Sequence, residues 1–219
     1  MITQILLAAG LSVRMKTSKP LLDFAGIPLL ARLLEECRQS LADSVIVVLG
    51  HEKERILEQV DFSGAQVVEN PNYKSGQTSS FQSALEAMDP GTEAFLNLPV
   101  DHPLVTGKEI DALIQAYRNR QDSSKIFIPT FEGQEGRPVL FEISLRQEIL
   151  SLDPDEPANG LIEKSRNSIS HVPVANPYIM KDMDTPEDYR ECLEIFKKIQ
   201  DSKSESYNKF KIQNPKVKN

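Results

Sequence analysis

Five short apolar runs separated by amphipathic segments constrain this chain more than any other feature. They are ITQILLAA (2–9), SVIVVLG (44–50), AQVVEN (65–70), EAFLNLPV (93–100) and KIFIPT (125–130). None alternates cleanly between apolar and polar residues. Each therefore reads as a strand buried on both faces, which belongs in a sheet covered by helices on either side. The intervening segments carry helical spacing: Leu29, Leu30, Leu33, Leu34, Cys37 and Leu41 form one stripe, Phe81, Ala84, Leu85 and Met88 a second, and Ile110, Leu113, Ile114 and Tyr117 a third. The order β-α-β-α-β-α-β-α-β over the first 130 residues predicts a single α/β domain with an open, doubly wound, Rossmann-like and mostly parallel sheet.

The pattern changes after Thr130. RPVLFEI (137–143) and SISHVPV (168–174) read as strands around a helical NGLIEKSRN, and YIMKDMD (178–184) reads as a further strand, so antiparallel pairing is expected in this C-terminal part. Thr185 then supplies an N-cap, Pro186 the first helical position, and Glu187 and Asp188 acids in the first turn, ahead of an apolar stripe at Tyr189, Cys192, Leu193 and Phe196. From Asp201 onward the sequence is polar and lysine-rich with no periodic apolar face. The expected organisation is a domain over residues 1–200 and a mobile tail over 201–219.

A chain of 219 residues with 40% hydrophobic composition can build one substantial core. Its formal net charge of −7 gives no surface-wide positive field, which argues against nucleic acid or an anionic membrane as partner. Any anion must be held locally. The N-terminal apolar run lacks a basic flank and is only about seven residues long, against the roughly 20 needed to cross a bilayer, so the expected location is the cytoplasm. The two cysteines, Cys37 and Cys192, fall on apolar helix faces and read as buried thiols.

In doubly wound sheets ligands bind outside the carboxyl ends of the strands. The first such loop, in LLAAGLSVRMKTSKPLL (6–22), ends its strand in Ala8, Ala9 and Gly10, where a ring or phosphate can approach the backbone. Arg14, Lys16 and Lys19 follow. Backbone N–H groups with an arginine and a lysine suit a polyphosphate, although the same residues also suit a solvated basic turn. Asp101, in LNLPVDHP, falls just past the fourth strand and is either a turn former or a ligand. Asp182 and Asp184, in KDMDTPEDY, precede the capped helix, where acids also favour the helix dipole. Two carboxylates converging on a polyphosphate loop are what Mg²⁺ uses, with phosphates and water completing its octahedron. YKSGQTSSFQSAL (73–85) places Gly76, Gln77, Thr78, Ser79 and Ser80 at a helix start, as a cap or as a contact surface. Of the three histidines, His51 is expected at the surface, His171 half-buried in a strand, and His102 beside the proposed ligand Asp101.

The ordered motifs LAAGLSVRMKTSK, GQTSSFQSAL, VDHPLV, GRPVLF and DMDTPEDY resemble those of the nucleotidyltransferases that act on molybdenum cofactor, the cytidylyltransferase branch above all, over about residues 1–198. Lys16 stands where that family has glycine. The resemblance implies a fold of the nucleotide-diphospho-sugar transferase type and Mg²⁺-dependent transfer of CMP from CTP to a molybdopterin-type acceptor. It implies that Ala8, Ala9 and Gly10 line base and sugar, that Arg14 and Lys19 grip the phosphates catalytically, and that Gln77 and Ser80 face the base. Asp101 and Asp184 would hold the metal, with Asp182 the less favoured ligand, and His102, Gly136, Arg137 and Pro138 would shape the acceptor side. A transient contact with a molybdoenzyme or its maturation chaperone is implied as well. GTP, another phosphorylated acceptor, or a non-catalytic nucleotide-binding maturation factor are the alternatives.

Overall fold

The computed structural model describes residues 1–156 and 159–213, of which the side chains of Asn159 and of 203–213 are not described. Strands β1 (Ile2–Leu7), β2 (Ser44–Leu49), β3 (Gln66–Glu69) and β4 (Ala94–Pro99) run parallel in the order β3-β2-β1-β4. β5 (Ile126–Phe131), the two-residue β6 (Gln134–Glu135), β7 (Val139–Glu142) and β8 (Ile169–Pro173) complete an eight-stranded mixed sheet. β7 runs antiparallel between β4 and β5, while β8 is parallel to β5. The expected single α/β domain with a parallel body and an antiparallel C-terminal part is what the chain adopts.

Seven α-helices are described: α1 (Leu29–Arg38), α2 (Lys53–Gln59), α3 (Gln77–Ala87), α4 (Gly107–Arg118), α5 (Arg146–Leu150), α6 (Asn159–Lys164) and α7 (Pro186–Gln213). Alternation along each strand divides the core into two layers. Ile2, Leu6 and Ala8 of β1 and its extension pack with the stripes of α1, α4 and α7, whereas Ile5, Leu7 and Ala9 pack with Phe81, Ala84 and Leu85 of α3. In the second layer the rings of Phe81, Phe95 and Phe141 cluster with centroids 5.7 to 5.8 Å apart, Phe95 stacked on Phe141 and Phe81 edge-on or tilted to both. Such contacts add about 1 kcal/mol each to the burial of the rings. Cys37 and Cys192 are buried free thiols, as their positions on the apolar faces require.

Two expectations are corrected. The stripe assigned to the first helix ran to Leu41, but α1 stops at Arg38 and Leu41 is exposed. Residues 178–184 form no strand: the Asn176 Oδ1 accepts from the Tyr178 amide, Lys181 N donates to Tyr178 O, and the chain turns across the sheet end. Helix α7 continues through Asp201 to Gln213, into the stretch read as a tail, and residues 214–219 lie outside the described residues. Lysine, glutamate and serine without an apolar stripe still extend a helix whose capped start is docked, because propagation costs far less than nucleation. No described helix is long and apolar enough to cross a membrane.

Candidate functional site

Register carries the carboxyl ends of the strands to one level. Leu7 lies opposite both Val48 and Pro99, and Val100 N donates to Leu7 O at 2.9 Å. Because β7 is antiparallel, with Val139 opposite Asn97, its first residues arrive at this same end and bring Gly136, Arg137 and Pro138 with them. Arg137 N donates to Ile179 O at 2.9 Å, and a Cβ on Gly136 would lie 2.6 Å from that of Ile179. The crossing segment is thereby held against the sheet with Asp182 and Asp184 following it.

The loop after β1 turns twice through left-handed backbone, at Ser12 (φ 53°) and Lys16 (φ 58°). Ser12 Oγ accepts from Lys19 N at 3.2 Å, which closes the loop and points Lys19 back over the sheet. Lys19 Nζ donates to Asp184 Oδ1 at 2.6 Å and lies 3.6 Å from Asp101 Oδ2, with its side chain only 10% exposed. Arg14, from the same loop and 70% exposed, donates to Asp184 Oδ2 at 2.6 Å. The backbone of Asp184 is itself fixed, since Asp188 Oδ2 accepts from the amides of Asp184 and Thr185 and from the Thr185 hydroxyl. Those hydrogen bonds, the Thr185 hydroxyl's foremost, hold the Asp188 carboxyl below its ordinary range.

A cavity of about 370 Å³ opens beside Lys19, with Ala9, Gly10, Gln77, Ser80 and Asp101 in its wall. The N-terminus of α3 faces it. Gly76 caps that helix at φ 120°, and a Cβ there would meet Pro154 O at 2.7 Å. Buried Asn70 donates to Ser79 Oγ and Ser80 Oγ at 2.8 and 3.0 Å, fixing the first turn. Ala8 is placed elsewhere: its side chain lies in the opposite core layer and its amide donates to Val48 O. Tyr73 and Lys74 also line the cavity, two residues absent from the expected site. The available signal was a cation two residues before the glycine that opens a helix at a strand end. His102 lies on the other side of Asp101, its Nε2 3.8 Å from Oδ1. Burial pushes its imidazole below the ordinary value against the opposing pull of Asp101, which favours the neutral ring. Burial likewise lowers the Arg137 guanidinium, opposed by Asp101 and Glu135. His51 is half-buried and its ring lies 6.0 Å from that of Tyr73, while His171, expected half-buried, is exposed and bonds Glu135 at 2.7 Å.

Among the described residues no three His, Cys, Asp or Glu side chains form a metal cage. What exists is a pair of carboxylates sharing one cation, Lys19 Nζ, together with a buried Asp101 Oδ1 that has no hydrogen-bond partner among the described residues. Two hard oxygen donors fit Mg²⁺ or Mn²⁺ bound with the help of ligand phosphates, and do not fit an all-protein site.

The family model of the MobA-like NTP transferase domain matches residues 4–170. The chain belongs to this family. Among relatives of the MobA-like domain, 3-deoxy-manno-octulosonate cytidylyltransferase 2 of Paraburkholderia phytofirmans is 29% identical over 143 residues, covering 58% of this chain and 54% of that protein. The chain thus spans about half the length of that relative. The crystal structure of the Rv0371c homologue from Mycobacterium sp. strain JC1 superposes with a TM-score of 0.80 at 27% identity, covering 90% of this chain and 98% of that one. Rv0371c of Mycobacterium tuberculosis in complex with manganese gives 0.74 at 24% identity, covering 88% and 98%, and this likeness concerns the fold alone. The MobA-like match ends at Ser170, before the segment that delivers Asp184 to Lys19.

Proposed function

We propose that the chain is a nucleotidyltransferase that moves CMP from CTP, in the presence of Mg²⁺, to the terminal phosphate of a molybdopterin-type acceptor and releases pyrophosphate. The observation that carries this reading is the meeting of Lys19 with Asp101 and Asp184 at the mouth of the cavity. A sensor that bound metal-free nucleotide would gain nothing from two carboxylates facing its phosphate-binding cations. Cytidine is favoured by the LAAG opening, which resembles the cytidylyltransferase branch, and by the relative that is itself a cytidylyltransferase. A metal is favoured by the fit of the carboxylate pair to a hard divalent cation held partly by phosphates.

In this reading Ala9 and Gly10 leave room for base and sugar, while Gln77 and Ser80 face the base from the start of α3. Lys19 and Arg14 exchange Asp184 for phosphate oxygens and neutralise charge that builds on the α-phosphate and the leaving group. An acceptor oxygen forms a bond to the α-phosphorus as the bond to the β-phosphate oxygen breaks, and pyrophosphate carries away the electron pair. Asp101 and Asp184 would hold the divalent cation, which supplies further charge neutralisation at the transferred phosphate. No protein nucleophile is needed, so catalysis is alignment and electrostatics. His102, Arg137 and the Gly136 turn face the acceptor side, with Asp182 near His102.

The test incubates the purified protein with each of the four triphosphates, Mg²⁺ and molybdopterin, and measures pyrophosphate. CTP is expected to give the fastest release. Fastest release from GTP moves the assignment to guanylyl transfer, and release from none overturns transfer to this acceptor.

A further inference from the structure

Arg32 interrupts the apolar stripe of α1, and its side chain is only 7% exposed. A charge placed there gives up hydration, and a leucine or methionine would fill the same volume without that cost. The contacts explain its presence. Nη1 donates to Pro103 O, and Nη2 lies 3.4 Å from both Val105 O and Glu36 Oε1. The guanidinium carbon lies 4.7 Å from the ring centre of Phe196 and 5.7 Å from that of Phe24, and those two rings are 5.0 Å apart.

Apart from Glu36, on α1 itself, these contacts fall on three limbs of the site. Pro103 and Val105 lie in the turn after Asp101, ahead of the Thr106 and Glu109 capping box of α4. Phe24 lies in the segment that follows Lys19. Phe196 belongs to α7, which starts two residues after Asp184, and a second tie joins these limbs where Tyr189 donates to Asp23 O at 2.6 Å. A rigid planar fork can bond two carbonyls of one turn while its faces meet aromatic rings, which a lysine cannot do.

We propose that Arg32 is a positioning residue that fastens the Lys19, Asp101 and Asp184 segments to one another and so sets the spacing of the carboxylate pair. It touches neither nucleotide nor acceptor. The proposal rests on the reading of that pair as the metal-holding carboxylates.

The test compares Arg32→Met, Arg32→Lys and a control, Ile149→Ala, which opens a cavity in the opposite core layer. All are studied well below their unfolding midpoints. Amide hydrogen exchange is followed over residues 101–106 and 184–188, Mn²⁺ binding is titrated with and without CTP, and kcat and KM for CTP are measured separately. Arg32→Met is expected to speed exchange in both segments, weaken Mn²⁺ binding by about 10- to 100-fold, the usual scale for losing a group that orients a metal ligand, and lower kcat more than it raises KM. Arg32→Lys should restore part of each, and Ile149→Ala should leave all three unchanged. Parental Mn²⁺ affinity in Arg32→Met, or equal weakening in the control, overturns the proposal. If the parent protein binds no Mn²⁺, the metal reading falls on its own; exchange then decides for Arg32, with faster exchange in both segments supporting the tie and unchanged exchange refuting it.

Discussion

Asp184 accepts from both Lys19 and Arg14, so the two cations assigned to phosphate already have an anionic partner. In the proposed reaction phosphate would displace that carboxylate, and a divalent cation that draws Asp184 away would release both cations at once. Asp184→Asn is therefore expected to tighten CTP binding severalfold in metal-free buffer and to weaken it when Mg²⁺ is present, both read by calorimetric titration. Tightening in neither condition would show that the ion pair does not compete with phosphate. Lys19→Ala should lower turnover by about a hundredfold or more, the scale of one lost transition-state contact, while near-normal turnover would remove Lys19 from the mechanism. At Lys16 the structure gives a reason for the glycine of the resembling family: the backbone sits at φ 58°, where a side chain costs about 1 kcal/mol or more. Lys16→Val should destabilise by about 1 kcal/mol and Lys16→Gly should not, as measured by urea unfolding. The sequence shows the substitution, but the left-handed turn behind it depends on a loop closed by Ser12 and Lys19.

At the level of elements, the strand ends were the most readable part of the chain. β1, β2 and β4 are buried on both faces, so their residues announce themselves as strands, and the loops after them had to hold Gly10 and Asp101. Residues 178–184 misled because Tyr178, Ile179 and Met180 are apolar for a different reason: Ile179 plugs against Gly136 while the backbone turns. Ala8 was grouped with Ala9 by adjacency, yet alternation sends their side chains to opposite layers. Helix α3 shows how one residue sets an element's start. Gly76 combines φ 120° and ψ 172° with a close approach to Pro154 O, and its helix presents Gln77 and Ser80 to the cavity. Gly76→Ala is expected to cost about 1 to 3 kcal/mol and to raise KM for CTP, because the first turn must shift. Thermal unfolding and initial rates check the two effects separately, and a variant with parental values in both would show that the turn relaxes freely.

Across the whole molecule, the ion pair between Lys19 and Asp184 joins residues 165 positions apart, and no local pattern reports such a meeting. It arises from topology: the reversed β7 pulls the crossing segment onto the sheet end, and α7 then returns along the layer built by α1 and α4. That layer also encloses Cys37, whose thiol burial pushes up to about 12, and Cys192, pushed up to about 11 by the same cause. A raised thiol pKa means that the folded chain keeps its proton while the unfolded chain, titrating near 8.5, loses it. The associated stability is complete below about pH 8.5 and declines as pH rises toward the folded values, by on the order of 1 kcal/mol per pH unit for each thiol. The urea midpoint is therefore expected to fall between about pH 8.5 and 11. Cys37→Ala, less stable than the parent near neutrality because it leaves a cavity, should lose stability more slowly over the same range, so that the two curves converge. Parallel curves would mean that Cys37 ionises as readily in the folded core as in the unfolded chain, and would refute its enclosure between α1 and the sheet.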